Sequence, residues 1–195
     1  MKNRNLTLLT DYYELTMMYG YFKKQMTKTR SVFDLFFRAN SESNYCIAAG
    51  LEQAVQYIEN LRFEKEQLDY LRSTKDFDED FLAYLENFRF SGDIYALEEG
   101  TVVFPGEPLM IVKAPIIEAQ LMESALLNIV NFQTLIATKA SRVAYVAQPG
   151  QVSEFGLRRA QGPDAGIYGA RAAMIGGCQA TSNVLTGQLF GVPVG

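Results

Sequence analysis

Apolar residues recur at helical spacing over much of the chain and crowd into short β-like runs near its middle. Asp11 with Glu14 three residues on reads as a helix start of the capping-box kind, and Leu15, Met18 and Phe22 follow on one face. Residues 31–37 are rich in Val, Phe and Leu over a short span, which predicts a strand, while Leu51, Ala54, Val55, Ile58 and Leu61 mark an amphipathic helix. Two shorter helices are expected through 68–71 and 81–88. From Gly92 the pattern changes to runs at 94–97, 101–104 and 109–112, separated by Glu98-Glu99-Gly100 and Pro105-Gly106-Glu107-Pro108 turns, and this predicts a meander of hairpins. Pro115 then opens one long helix to about residue 145, with Ile117, Leu121, Leu127, Val130, Leu135 and Ile136 on a broad apolar face. Gln148-Pro149-Gly150 breaks it.

Beyond that break the order is strand, helix, strand, helix, strand. A short strand runs into Glu154-Phe155-Gly156-Leu157-Arg158-Arg159-Ala160-Gln161-Gly162-Pro163-Asp164, and a small-residue helix ends at Gly176-Gly177. A second segment at 178–181 and a helix near 183–190 lead into Val192-Pro193-Val194-Gly195. Such an order begins a parallel α/β unit, which needs right-handed crossovers and further strands to close. The chain end therefore reads as a cut. The expected organisation is an α+β domain over 1–145 and the first units of a parallel α/β barrel over 146–195.

Composition narrows the partners. The 195 residues are 48% hydrophobic, enough for a core, and the net charge is -4. Lys and Arg are scattered singly, so no basic stripe points to nucleic acid or an anionic membrane surface. Neither a signal-peptide core nor a transmembrane span is visible, and the cytoplasm is the expected compartment. Cys46 and Cys178 lack CxxC spacing and the chain has no histidine, which excludes zinc ligation by inventory; both cysteines read as small buried hydrophobes. The glycines at 162, 166, 169, 176 and 177 fit neither a P-loop nor a dinucleotide fingerprint. Asp93, Glu98, Glu99 and Glu107 read as solvated hairpin residues, not as paired catalytic carboxylates.

The candidate chemistry lies in the arginine stretch. A guanidinium is a planar fork of donors matched to a carboxylate or phosphate, and ligands in alternating α/β folds sit at the carboxyl ends of strands. Placed on a strand, Arg158 and Arg159 alternate and face opposite sides. A salt bridge to Glu154 or Asp164 is the competing reading of either residue. Phe155 is a candidate ring-stacking residue or plain core, Tyr13 a packing anchor or a site residue, and Ser182 a helix N-cap or a site residue.

The blocks EFGLRRAQGPD at 154–164, GGCxxTSN at 176–183 and LFGVPV at 189–194, with an opening helix LTDYYELTM at 9–17, together resemble the nicotinate phosphoribosyltransferase family. The resemblance covers essentially the whole chain and implies an amino-terminal fragment: an α+β domain followed by the first strands of an incomplete type II phosphoribosyltransferase α/β barrel. It implies a full-length enzyme that makes nicotinate mononucleotide and pyrophosphate from nicotinate and phosphoribosyl pyrophosphate in NAD salvage, using Mg2+ and ATP, as a cytoplasmic homodimer. By resemblance, Arg158 meets the nicotinate carboxylate, Phe155 stacks on the ring and Tyr13 covers the other face from the neighbouring subunit. Arg159 holds a phosphate or the loop, and a neutral Ser182 suits an acid substrate where amide-using relatives carry an aspartate. No catalytic residue is expected within the chain, because the family's phosphorylated histidine falls just beyond Gly195, and no turnover is expected from the 195 residues alone. A non-catalytic binding or oligomerisation module, or a related enzyme using nicotinamide or quinolinate, remains an alternative.

Overall fold

A computed structural model describes residues 4–38 and 44–195. Along the chain run α1 (Tyr12–Lys23), β1 (Arg30–Phe36), β2 (Cys46–Ile47), α2 (Leu51–Glu59), α3 (Lys65–Thr74), α4 (Glu79–Glu86), β3 (Asp93–Ala96), β4 (Val102–Val103) and β5 (Pro108–Pro115). They are followed by α5 (Ile116–Leu121), α6 (Glu123–Ala147), β6 (Ser153–Glu154), a 3-10 turn (Leu157–Arg159), α7 (Pro163–Ile175), β7 (Ala180–Thr181) and α8 (Val184–Phe190). The residues divide into two compact units, one of Met1–Leu35, Glu52–Tyr95 and Met110–Leu127, the other of Phe36–Leu51, Ala96–Leu109 and Asn128–Gly195. No helix among the described residues is long and apolar enough to cross a membrane.

The first unit is built on aromatic packing between α1 and the α3–α4 pair. Leu15 and Met18 of α1 are buried, as are Leu68 and Leu71 of α3 and Phe81, Leu82 and Leu85 of α4. Tyr19 meets Phe77 edge-to-face and Phe81 at a tilt, with ring centroids 5.6 and 5.2 Å apart, and Phe22 lies 5.4 Å from Phe81. Helix α4 starts because the Asp78 side chain accepts the Phe81 amide at 3.0 Å, and α3 starts with Glu64 and Gln67 bonded reciprocally as a capping box. Strands β1, β5 and β3 share one sheet in that order. The expected single helix after Pro115 is in fact two, since α5 ends at Leu121 and α6 starts at Glu123.

In the second unit β2 pairs antiparallel with β4, Cys46 opposite Val103 and Ile47 opposite Val102. The expected meander is thus overturned: β3 and β5 join one sheet, while β4 between them pairs with β2. Val103 is fully buried, and a two-residue strand has too few ladder bonds to dictate its partner by itself. Thr138 Oγ1 accepts the Ile47 amide at 2.9 Å and Thr134 Oγ1 the Ala49 amide at 3.3 Å, so α6 completes the hydrogen bonding of the β2 edge. Packing here relies on small residues: Ala137, Ala140, Ala172 and Ala173 are buried with Ile47 and Cys178. Strands β6 and β7 are parallel, with Ser153 opposite Ala180 and Glu154 opposite Thr181, and Val194 bridges to Thr181 in the same sense. Helices α7 and α8 are the crossovers, which is the strand–helix alternation expected here. Both cysteines are free and buried, and burial pushes the Cys46 thiol up to about 11.

Candidate functional site

Strand β6 ends at Glu154 because that side chain folds back on its own loop. Glu154 Oε1 accepts the Gly156 amide, Oε2 accepts Thr181 Oγ1 at 2.7 Å, and the main-chain oxygen accepts the Ser182 amide at 2.9 Å. A β-carbon on Gly156 would sit 2.6 Å from Glu154 Oε1, so glycine permits the close approach. The chain then turns as a short 3-10 segment, with Arg159 N bonded to Gly156 O at 2.8 Å.

Arg158 and Arg159 therefore do not lie on a strand, and the expected alternation to opposite faces does not hold. With three residues per turn, neighbouring side chains diverge by about 120° instead of 180°. Both guanidinium groups are exposed and neither forms an ion pair among the described residues, which removes the alternative of a salt bridge to Glu154 or Asp164. Phe155 is 62% exposed and is not core. Arg159 and Glu154 line an open cavity of about 350 Å³ whose other walls include Phe132, Gln161, Gly166 and Gly169; Phe155, Arg158 and Ser182 lie outside it.

Ser182 is exposed, and it is Asn183 that caps α8, its side chain accepting the Thr186 amide at 3.2 Å. The N-cap expected at Ser182 is thus one residue further on. Asn183 wins because its longer amide also reaches Gly166 O as a donor at 3.0 Å, so a single buried side chain ties α8 to α7.

Tyr13 belongs to the first unit. It is 46% exposed on the first turn of α1, and its hydroxyl donates to Glu123 Oε1 at 2.9 Å. That bond to Glu123, with some desolvation, pushes the phenol up to about 12 and keeps it a donor. Its neighbour Glu14 is fully buried and does not close the expected capping box; its carboxylate accepts the Ser124 amide at 2.9 Å and Ser124 Oγ at 2.8 Å, at the start of α6. Asp11 likewise makes no side-chain cap for α1 and accepts Ser124 Oγ at 2.8 Å.

One functional-looking pair went unread in the sequence. Glu99 is not a solvated hairpin residue: it accepts two bonds from Arg171, at 2.9 and 2.6 Å, and the amides of Gly50 and Leu51 at 2.6 and 3.1 Å. Burial pushes its carboxyl up, but Arg171 and the two amides outweigh that and hold it below the ordinary range. The available signal was an arginine set among the small residues of α7, a position that calls for an acidic partner. Asp93, Glu98 and Glu107 are exposed, as expected.

Residues 8–131 match the family model described as the nicotinate phosphoribosyltransferase (NAPRTase) N-terminal domain. The nicotinate phosphoribosyltransferase of Bacillus subtilis (strain 168) is 47% identical over 194 residues, covering 99% of this chain and 40% of the relative. That of Caenorhabditis elegans is 42% identical, covering 96% of this chain and 34% of the relative. The crystal structure of human nicotinic acid phosphoribosyltransferase matches with a TM-score of 0.88 at 38% identity, over 96% of this chain and 38% of that one. The nicotinate-nucleotide pyrophosphorylase of Pyrococcus furiosus matches in fold, with a TM-score of 0.75 at 22% identity, over 97% of this chain and 41% of that one. The chain thus spans between a third and about two-fifths of the length of these relatives.

Proposed function

The chain belongs to the nicotinate phosphoribosyltransferase family, and from that premise we propose that it supplies part of the pyridine-acid site of an enzyme joining nicotinate to phosphoribosyl pyrophosphate in NAD salvage. The observation that carries the reading is the loop 155–159, where an exposed Phe155 and two unpaired guanidinium groups stand at the carboxyl end of a parallel strand. An unpaired arginine there can take a carboxylate in bidentate fashion, and an exposed ring can stack on a pyridine. In this reading Arg158 clamps the acid, Phe155 stacks, Ser182 avoids repelling the carboxylate, Arg159 holds a phosphate or the loop, and Tyr13 covers the ring in a partner subunit of a cytoplasmic homodimer. Residues 146–195 are then the opening strands of a type II barrel, after an α+β domain over 1–145.

The chemistry needs no general base. The pyridine nitrogen already carries a lone pair; it attacks the anomeric carbon, the N–C bond forms as the C–O bond breaks, and pyrophosphate leaves with the electron pair. The protein's work is orientation and charge stabilisation. Magnesium and ATP take part by family resemblance, but no group of three or more Cys, Asp or Glu side chains among the described residues could hold a metal ion, and the chain has no histidine to phosphorylate. No step is therefore assigned through either group to these residues.

The test is a single-turnover assay of nicotinate mononucleotide formation with nicotinate, phosphoribosyl pyrophosphate, Mg2+ and ATP, on the full-length protein and on the 195 residues alone. Product is expected from the first and none from the second. Arg158→Ala in the full-length protein should raise KM for nicotinate by at least tenfold, the loss of about one charged hydrogen-bonded contact. A protein that turns over nicotinamide or quinolinate but not nicotinate overturns the substrate, and one that turns over none of the three overturns the enzyme reading in favour of a binding module.

A further inference from the structure

We propose that Glu123 is a positioning residue for Tyr13, holding the ring by its hydroxyl so that an aromatic face stays open to a ligand; this rests on the reading of Tyr13 as a ring-covering residue. Tyr13 is nearly half exposed at a helix start, where an untethered aromatic side chain would sample several rotamers. Its hydroxyl is instead fixed on Glu123 Oε1 at 2.9 Å. The other oxygen of that carboxylate accepts Gln120 Nε2 at 3.0 Å, and Gln120 is itself only 3% exposed, so the acceptor is anchored to a buried side chain.

The two backbones are tied together one residue further along as well. Glu14, next to Tyr13, bonds the amide and hydroxyl of Ser124, next to Glu123, at 2.9 and 2.8 Å. Asp11 takes the same hydroxyl at 2.8 Å. The start of α1 is thus tied to Ser124 at the start of α6, beside the Tyr13–Glu123 bond. A phenol donating to a carboxylate is a strong form of hydrogen bond, yet at an exposed position it adds little to folding. What it does is restrict the ring before a ligand arrives, which lowers the ordering cost of binding.

The experiment is steady-state kinetics of the full-length protein with nicotinate varied, together with melting temperatures, for Tyr13→Ala, Tyr13→Phe, Glu123→Ala, Glu123→Gln and the Tyr13→Phe/Glu123→Ala double variant. Tyr13→Ala should raise KM for nicotinate strongly. Tyr13→Phe and Glu123→Ala should each raise it about fivefold, roughly one hydrogen bond's worth, with kcat and melting temperature held. Glu123→Gln keeps an acceptor and should recover most of the loss, and the double variant should be no worse than either single one. Tyr13→Ala raising KM while Glu123→Ala leaves it at the wild-type value would overturn the positioning role. So would additive effects in the double variant, or a fall in melting temperature that Gln does not rescue. A wild-type KM in Tyr13→Ala is a separate result that removes Tyr13 from the site and this inference with it.

Discussion

The guanidinium of Arg171 grips the carboxylate of Glu99 at both ends, Nη1 to Oε1 at 2.9 Å and Nη2 to Oε2 at 2.6 Å, with the two side chains only 14% and 18% exposed. The same carboxylate accepts the amides of Gly50 and Leu51 at the start of α2, and Arg171 lies over the Phe190 ring at 5.5 Å. A loop, a helix start and two crossover helices thus meet on one ion pair. Removing one partner takes the bidentate contact away from a mostly buried charge, and Glu99→Ala or Arg171→Met should each cost about 3 kcal/mol in urea unfolding of the full-length protein. The double variant should cost clearly less than the sum, because both substitutions remove the same bidentate contact.

Glu14 makes stability depend on pH. Burial pushes its carboxyl from 4.5 up to about 7, with Glu123 and Asp11 adding repulsion and the two Ser124 bonds opposing the shift. Between those values the folded state holds a proton that the unfolded state has lost. Its contribution is therefore fully present below about pH 4.5 and is lost as pH rises through 7. The loss is on the order of 3.5 kcal/mol at most, from about 1.4 kcal/mol per pKa unit. Melting temperature measured from pH 5 to 8 should fall across that window in the wild type. Glu14→Gln, neutral throughout, should flatten the slope and melt higher than wild type at pH 8; an unchanged slope in this variant would assign the dependence elsewhere.

Helices α2, α3, α4, α7 and α8 were legible because local spacing decides them: apolar residues recur every three or four positions and caps or glycines stand at their ends. What was not legible depended on partners far away in sequence. Asp11 and Glu14 have capping-box spacing, but Ser124, about 110 residues on, takes both carboxylates. The start of α6 at Glu123, where one long helix was expected, is supported by that same Glu14 carboxylate on the Ser124 amide. The hairpin runs at 94–112 carry strand composition, yet only the tertiary arrangement sends β4 to β2. At the candidate site the backbone was not readable, because Glu154 turning back on the Gly156 amide ends the strand before the arginines.

The small-residue packing in the second unit makes a sharp steric prediction. A β-carbon on Gly176 would lie 2.3 Å from Ala137 O and 2.7 Å from Ala140 Cβ, both on α6. Its φ of -74° is ordinary, so Gly176→Ala tests space and not backbone strain. The obstructing oxygen belongs to a long helix and cannot swing aside, and the expected loss is about 2 kcal/mol or more in urea unfolding. Gly20→Ala is the control, since nothing lies within 4 Å of its added carbon in the middle of α1. It should stabilise by about 0.5–1 kcal/mol through helix propensity.

Ser182 and Asn183 separate a structural role from a proposed binding role at adjacent positions. Asn183 is buried, accepts the Thr186 amide and donates to Gly166 O, so Asn183→Ala should cost about 2 kcal/mol, a lost cap together with a stranded carbonyl. Asn183→Asp keeps the acceptor but turns a carboxylate toward the Gly166 oxygen, and it should be no better than Ala. Ser182 is exposed and its hydroxyl makes no bond among the described residues, so Ser182→Ala should stay within about 0.5 kcal/mol of wild type. Ser182→Asp, by contrast, should leave the melting temperature near wild type and raise KM for nicotinate at least tenfold through repulsion of the substrate carboxylate, while weakening nicotinamide binding far less. Equal KM changes for the acid and the amide would take Ser182 out of the discrimination and leave it as a linker between β7 and the cap.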